Sequence, residues 1–209
     1  MTDYSDMITA LISGDIDNVC SLVQTEVDQG TNAGEILNTG LIKGMDIVGE
    51  KMQSGEMFIP EVLRSAKAMS QAVGILKPLL GEDDAASVGH MVVGTVKGDL
   101  HDIGKNLVTM MVGSSGIEVT DLGVDVPAEA FVKAVQEKKA TIVALSALLT
   151  TTMPMMKKTI DAIRETGTGD QVKIMVGGAP VTQAFADEIG ADGYAADAGS
   201  AAKLAKSYA

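Results

Sequence analysis

The sequence predicts two domains of different class: an N-terminal all-α four-helix bundle over residues 1–86 and a C-terminal α/β domain over residues 87–209. The second is a doubly wound, five-stranded parallel sheet, flavodoxin-like or Rossmann-like. Three observations carry this. Apolar residues in the first third recur at three- and four-residue steps. In the remainder, short Val/Ile-rich runs alternate with helical stretches. Between them Gly81-Glu-Asp-Asp-Ala-Ala-Ser87 is acidic, small and without period, which marks a linker.

In the bundle, Met7–Ile12 and Asn18–Val27 are the first two helical patterns, separated by Gly14-Asp15. Asp15 and Thr31 are candidate helix starts, because a short polar side chain can accept from the first free amides. The third helix carries Leu37, Leu41, Met45, Val48 and Met52; the fourth carries Val62, Leu63, Ala66, Met69, Val73 and Leu76. Pro60 suits the first turn of the fourth, where its missing N–H costs nothing.

In the second domain the strands are Met91–Val96, Ile117–Leu122, Thr141–Leu145 and Val172–Val176, with a short fifth through Gly193-Tyr194. The helices between them are Lys105–Val112, Ala128–Glu137, Pro154–Glu165, Thr182–Ile189 and a last one from Ser200. Right-handed crossovers bring the loops that follow the strands to one edge, and in this strand order the crevice opens between the first and third strands. The loops that converge there carry Asp99–Gly104, Ser146–Thr152 and Gly177-Gly178.

The segment with the most chemistry is Asp99-Leu-His101-Asp-Ile-Gly104, between a strand and a helix. A carboxylate two residues before a histidine can hold one ring nitrogen and leave the other for a metal. The other histidine, His90, starts a strand without a patterned partner and reads as a satisfied structural or an exposed histidine. Taken singly, Gly177-Gly178 reads equally as a tight strand–helix connection, and the hydroxyls of Ser146–Thr152 as helix caps. Asp197-Ala198-Gly199 adds a third small-residue turn, so the edge reads as a narrow slot. Cys20 falls within a helical pattern and reads as a buried small hydrophobe.

Composition excludes several classes. A formal charge of −12 argues against a nucleic-acid surface and reads as the solvation of a cytoplasmic protein. One cysteine excludes an internal disulfide framework. No signal peptide or membrane-length apolar run is visible. The phosphate loop, the dinucleotide fingerprint and the hydrolase and zinc-helix motifs are all missing. The pattern is that of a holder for a large prosthetic group.

Val96-Lys-Gly-Asp99-Leu-His101-Asp-Ile-Gly104-Lys-Asn resembles the corrinoid-binding signature of cobalamin-dependent methyltransferases. The likeness continues in Asp121-Leu-Gly-Val-Asp-Val-Pro127, Leu145-Ser-Ala-Leu-Leu-Thr150 and Gly177-Gly178-Ala179, and upstream in Gly55-Glu-Met-Phe-Ile-Pro-Glu-Val62. It spans most of the chain and points to the stand-alone corrinoid proteins of methylotrophic methyl transfer. The resemblance implies a cobalamin or other corrinoid cofactor, cycling between cob(I)alamin and methylcobalamin. His101 would be the lower axial cobalt ligand and Asp99 would hydrogen-bond it. Ser146 would complete that network or meet the nucleotide tail. Asp102, Gly104, Leu148, Thr150, Gly177, Gly178 and Ala198 would complete the cofactor's surroundings, with no catalytic residue of the chain's own. The bundle would cap the upper face of the ring, with Met57 and Phe58 near it.

Implied partners are a substrate:corrinoid methyltransferase, a methylcorrinoid:acceptor methyltransferase delivering to tetrahydrofolate, a pterin or coenzyme M, and a reductive activase; no nucleic acid and no membrane. The implied donors are methanol, methoxylated aromatics or, preferred here, methylamines and quaternary amines. Other readings stay open. An adenosylcobalamin mutase module shares Asp-x-His-x-x-Gly but rarely carries this bundle. A cobalamin-sensing regulator would append a DNA-binding element. A receiver-like signalling domain would need an acidic cluster at its first strand end.

Overall fold

A computed structural model describes residues 3–80, 89–167 and 169–209. The chain forms two compact units, Met1–Ser87 with Ser114–Gly116, and Val88–Gly113 with Ile117–Ala209. The expected linker at 81–87 lies outside the described residues.

The first unit consists of α1 (Ser5–Ser13), α2 (Ile16–Asp28), a continuous rod and α5 (Ile59–Leu76). The rod is α3 (Ala33–Glu35), a π-helical stretch Ile36–Ile42 and α4 (Lys43–Gln53). Gly14 ends α1 in the left-handed conformation (φ 70°), and Asp15 then caps α2 by accepting the Asn18 N–H. Thr31 is not the third start: Asn32 accepts the Glu35 N–H at 2.9 Å, while the Thr31 hydroxyl binds Glu26. The π stretch re-phases the rod. Its wider turn buries Ile36 completely and leaves Leu37 only half-buried, a shift that an α-period reading cannot contain. Gly40 and Gly44 let α1 come close, since an added Cβ would sit 2.8 Å from Met7 Sδ and 2.7 Å from Leu11 Cδ2. Pro60 lies in the first turn of α5 as expected. Leu63 is exposed, and Cys20 is half-buried instead of buried.

The second unit is an all-parallel sheet in the order β2-β1-β3-β4-β5. Its strands are β1 (His90–Thr95), β2 (Glu118–Asp121), β3 (Ile142–Ser146), β4 (Lys173–Gly177) and β5 (Gly193–Ala195). The helices are α6 (Ile103–Gly113), α7 (Ala128–Lys138), α8 (Met153–Arg164), α9 (Gln183–Ile189) and α10 (Ala198–Tyr208). α6 packs on α10, and α7 packs on α8. One core joins Val92, Val143, Leu145, Ile174 and Val176 of the strands to Phe131, Val135, Met156, Ile160 and Ile189 of the helices. Near-continuous burial of β1 and β3 is what a parallel sheet covered on both faces demands. The register sets Thr95 beside Ser146, Ser146 beside Gly177 and Gly177 beside Ala195, so four strand ends form one row. Among the described residues no helix is long and apolar enough to cross a membrane.

Toward the opposite end, Asp192 joins β4 and β5. It accepts the Ile174 N–H at 2.8 Å and pairs with Arg164 at 2.5 Å and Lys173 at 3.2 Å. Burial pushes its carboxyl up, but the amide and the two cations outweigh this and hold it below the ordinary value. A depressed pKa adds stability that is present above the unfolded value near 4 and is lost as pH falls through the folded value. Asp192→Asn is therefore expected to cost about 1–3 kcal/mol near pH 7. In urea unfolding across pH, the gap from wild type should hold at neutral pH and close below about pH 4; a gap independent of pH would refute the assignment.

Candidate functional site

The candidate site is built on the strand-end row. After β1 the chain turns through Lys97-Gly98, where Gly98 takes a φ of 85° and donates its N–H to Asp125 Oδ1 at 2.7 Å. The turn delivers Asp99 into the interior, with none of its surface exposed. An isolated buried carboxylate is costly unless its lone pairs are filled, and five donors fill these. Oδ1 accepts the His101 backbone N–H at 3.1 Å and lies 2.7 Å from His101 Nδ1. Oδ2 accepts from Leu148 N at 2.8 Å, Leu149 N at 3.2 Å and Thr152 Oγ1 at 2.7 Å. Desolvation raises the carboxyl's pKa, but the bonds from His101, Thr152 and Leu148 reverse the effect and hold it well below the usual carboxylate range. Asp99 is thus ionised, and a carboxylate can only accept, so the proton between it and Nδ1 belongs to the ring. Among the described residues His101 Nε2 has no hydrogen-bond partner.

The imidazole is half-exposed, and its surroundings are unusual for a polar loop. Leu100 is 71% exposed and Ile103 82%, with Leu148 and Leu149 each at 41%. Gly104 adds no side chain, and a Cβ there would meet open space. Aliphatic side chains flanking one nitrogen donor fit a flat, largely apolar group that carries a metal. Among the described residues no three His, Cys, Asp or Glu side chains converge to hold a bare ion. A metal bound at His101 must therefore bring most of its coordination sphere with it.

The other expected residues divide. Ser146 is half-buried at the end of β3, but its hydroxyl is not among the partners of Asp99. Thr152, at the N-terminus of α8, takes that place. The run Ser146–Thr152 signalled hydroxyls, but which one faces Asp99 depends on the turn between β3 and α8. Asp102 is exposed and accepts from Asn106 Nδ2 at 3.1 Å, apart from the Asp99 cluster. Leu148 joins the site through its backbone N–H as well as its exposed side chain. Thr150 is exposed, and Ala198 is buried as the first residue of α10. Gly177 and Gly178 sit tightly against backbone. A Cβ on Gly178 (φ 133°) would fall 1.9 Å from the Ala147 carbonyl oxygen, and one on Gly177 3.0 Å from that of Ala195. Their first requirement is the close approach of strand ends. In the helical unit Met57 is buried and Phe58 exposed.

Residues 89–203 match the family model described as B12 binding domain, and residues 4–77 match a second model of the same description. The chain is 44% identical to a corrinoid protein of Desulfitobacterium hafniense, covering 98% of this chain and 96% of that one. It is 43% identical to the dimethylamine corrinoid protein of Methanosarcina barkeri, over 96% and 94% of the two chains. Among solved structures, a chain of the methanol:cobalamin methyltransferase complex MtaBC from Methanosarcina barkeri superposes with a TM-score of 0.84. It is 33% identical, over 97% of this chain and 77% of that one.

Because Thr152 satisfies a buried charge, Thr152→Val is expected to destabilise the cofactor-free protein by about 1.5–3 kcal/mol, the range for a hydrogen bond to an ionised group. Urea unfolding measures this; a loss under about 0.5 kcal/mol, the scale of an ordinary surface change, would remove Thr152 from the cluster.

Proposed function

This chain belongs to the B12-binding corrinoid proteins and binds a corrinoid, and from that premise we propose that it is a methyl carrier serving separate methyltransferases. The observation that carries the proposal is the single free imidazole nitrogen, Nε2 of His101, held among exposed aliphatic side chains. When bound, the corrinoid supplies a cobalt centre that accepts a methyl group when reduced and yields it to a second acceptor.

The chain's own residues hold and tune that centre. His101 would hold the cobalt through Nε2. Asp99 keeps the proton on Nδ1, which fixes the tautomer and raises the basicity of Nε2. Thr152 and the amides of Leu148 and Leu149 keep Asp99 in place and ionised. Leu100, Ile103, Leu148 and Leu149 would pack against the corrinoid and keep water from it, with Asp102 and Gly104 beside them. Ser146, Thr150, Gly177, Gly178 and Ala198, at the ends of β3 to β5, would hold the nucleotide tail. Residues 87–209 form the binding domain, and residues 1–86 form a separate helical domain.

No residue of this set activates a methyl donor, so the chemistry on the substrate belongs to partners. The donor is a methylated amine brought by a substrate:corrinoid methyltransferase, a reading supported by relatives named for dimethylamine and trimethylamine. A second methyltransferase removes the methyl group to a folate, a pterin or coenzyme M, and an activase restores the reduced state.

The test is spectroscopic. Protein loaded with hydroxocobalamin and reduced to cobalt(II) is expected to show nitrogen superhyperfine splitting in electron paramagnetic resonance. His101→Ala should abolish the protein's contribution to it, and a variant spectrum identical to wild type would sink the ligation. Incubating the cobalt(I) form with candidate methyltransferases and mono-, di- or trimethylamine then identifies the donor.

A further inference from the structure

Lys105 has no part in this reading, yet it is a cation buried inside the second unit, 3% exposed. It lies in the first turn of α6, four residues after His101. Its ammonium donates to Asn106 Oδ1 at 2.6 Å and pairs with Asp121 Oδ2 at 2.5 Å, at the end of β2. Desolvating an ammonium offsets much of the attraction it gains, and an apolar side chain of similar volume often serves stability as well. The pair therefore needs a geometric reason, and its connections supply one.

Asp121 Oδ1 accepts the Gly123 N–H at 2.9 Å. Gly123 turns there with a φ of 84°, and its carbonyl accepts the Thr95 N–H at 3.0 Å. The fully buried Thr95 donates its hydroxyl to the His101 carbonyl at 2.8 Å. These bonds lead from α6 to the end of β2 and back to His101. Asp99 holds the ring and the amide of His101, and this second path holds its carbonyl.

We propose that Lys105, through Asp121, Gly123 and Thr95, is a positioning residue that presets the His101 imidazole for its axial partner. The inference rests on the reading that Nε2 meets cobalt. It predicts that losing the ammonium loosens the backbone of His101 without touching either ring nitrogen. The Asp99 clamp alone then leaves the ring a wider range of directions, and ligation weakens.

The full chain carries the test, with Lys105→Met and the double variant Lys105→Met/Asp121→Leu. In the hydroxocobalamin-loaded, cobalt(II) form, Lys105→Met should lower the ratio of histidine-ligated to unligated cobalt about tenfold, the low end for groups that orient a metal ligand. The double variant removes both charges. It should recover the wild-type Tm but not the ratio, a separation that a merely structural pair would not give. In the cofactor-free protein, the Nδ1 proton shared with Asp99 should give a sharp downfield resonance that broadens in both variants. A double variant with the wild-type ratio and a sharp proton overturns the proposal. If wild-type cobalt shows no protein nitrogen while the cofactor-free resonance still broadens, the ligation reading falls and the positioning role stands.

Discussion

The carboxylate of Asp99 is the constraint on which the rest of the second unit depends. It is fully buried and ionised, and a charge in that position is tolerable only when its lone pairs are filled. Its donors come from two places, the loop after β1 and the loop that joins β3 to α8. Both must end at the same height, which parallel β1 and β3, paired with Thr95 beside Ser146, provide. The sheet order thus does more than bury Val and Ile: it brings the amides of Leu148 and Leu149 and the Thr152 hydroxyl to a carboxylate some fifty residues away.

The same arrangement accounts for the division of labour in a carrier. A single imidazole with one committed nitrogen cannot act alone as a general base and a metal cage together. It can orient one axial bond and pass the effect of its carboxylate through that bond. The exposed Leu100, Ile103, Leu148 and Leu149 would be a liability on an ordinary surface, and their clustering with His101 marks a place for an apolar ligand. What the chain itself supplies is one oriented nitrogen donor among exposed aliphatic side chains.

Much of this was legible in the residues, and the reason is range. The central strands β1, β3 and β4 declare themselves within a few residues, because burial on both faces imposes continuous apolar runs, while the edge strands β2 and β5 are short and only partly buried. The capping of α2 by Asp15 and the Asp99–His101 pair are equally local. Misreadings arise where neighbours distant in sequence decide. The π stretch at Ile36–Ile42 shifts the buried face to Ile36, and Leu63 keeps the helical period yet stays exposed. The cap at Asn32 in place of Thr31 is a local exception, one residue along in a run of two capping side chains. Ser146 and Thr152 are both hydroxyls in one loop, and only the turn before α8 selects Thr152 for Asp99.

The sequence by itself determined the two-domain division of class, the doubly wound sheet, and the imidazole–carboxylate pair with its corrinoid signature, since each is written in spacing of a few residues. Only the tertiary structure decided which hydroxyl supports Asp99, that Lys105 is buried against Asp121, and that Thr95 holds the His101 carbonyl. Hydrogen bonds between distant loops depend on strand register and on the path of each turn, and neither leaves a periodic mark in the chain.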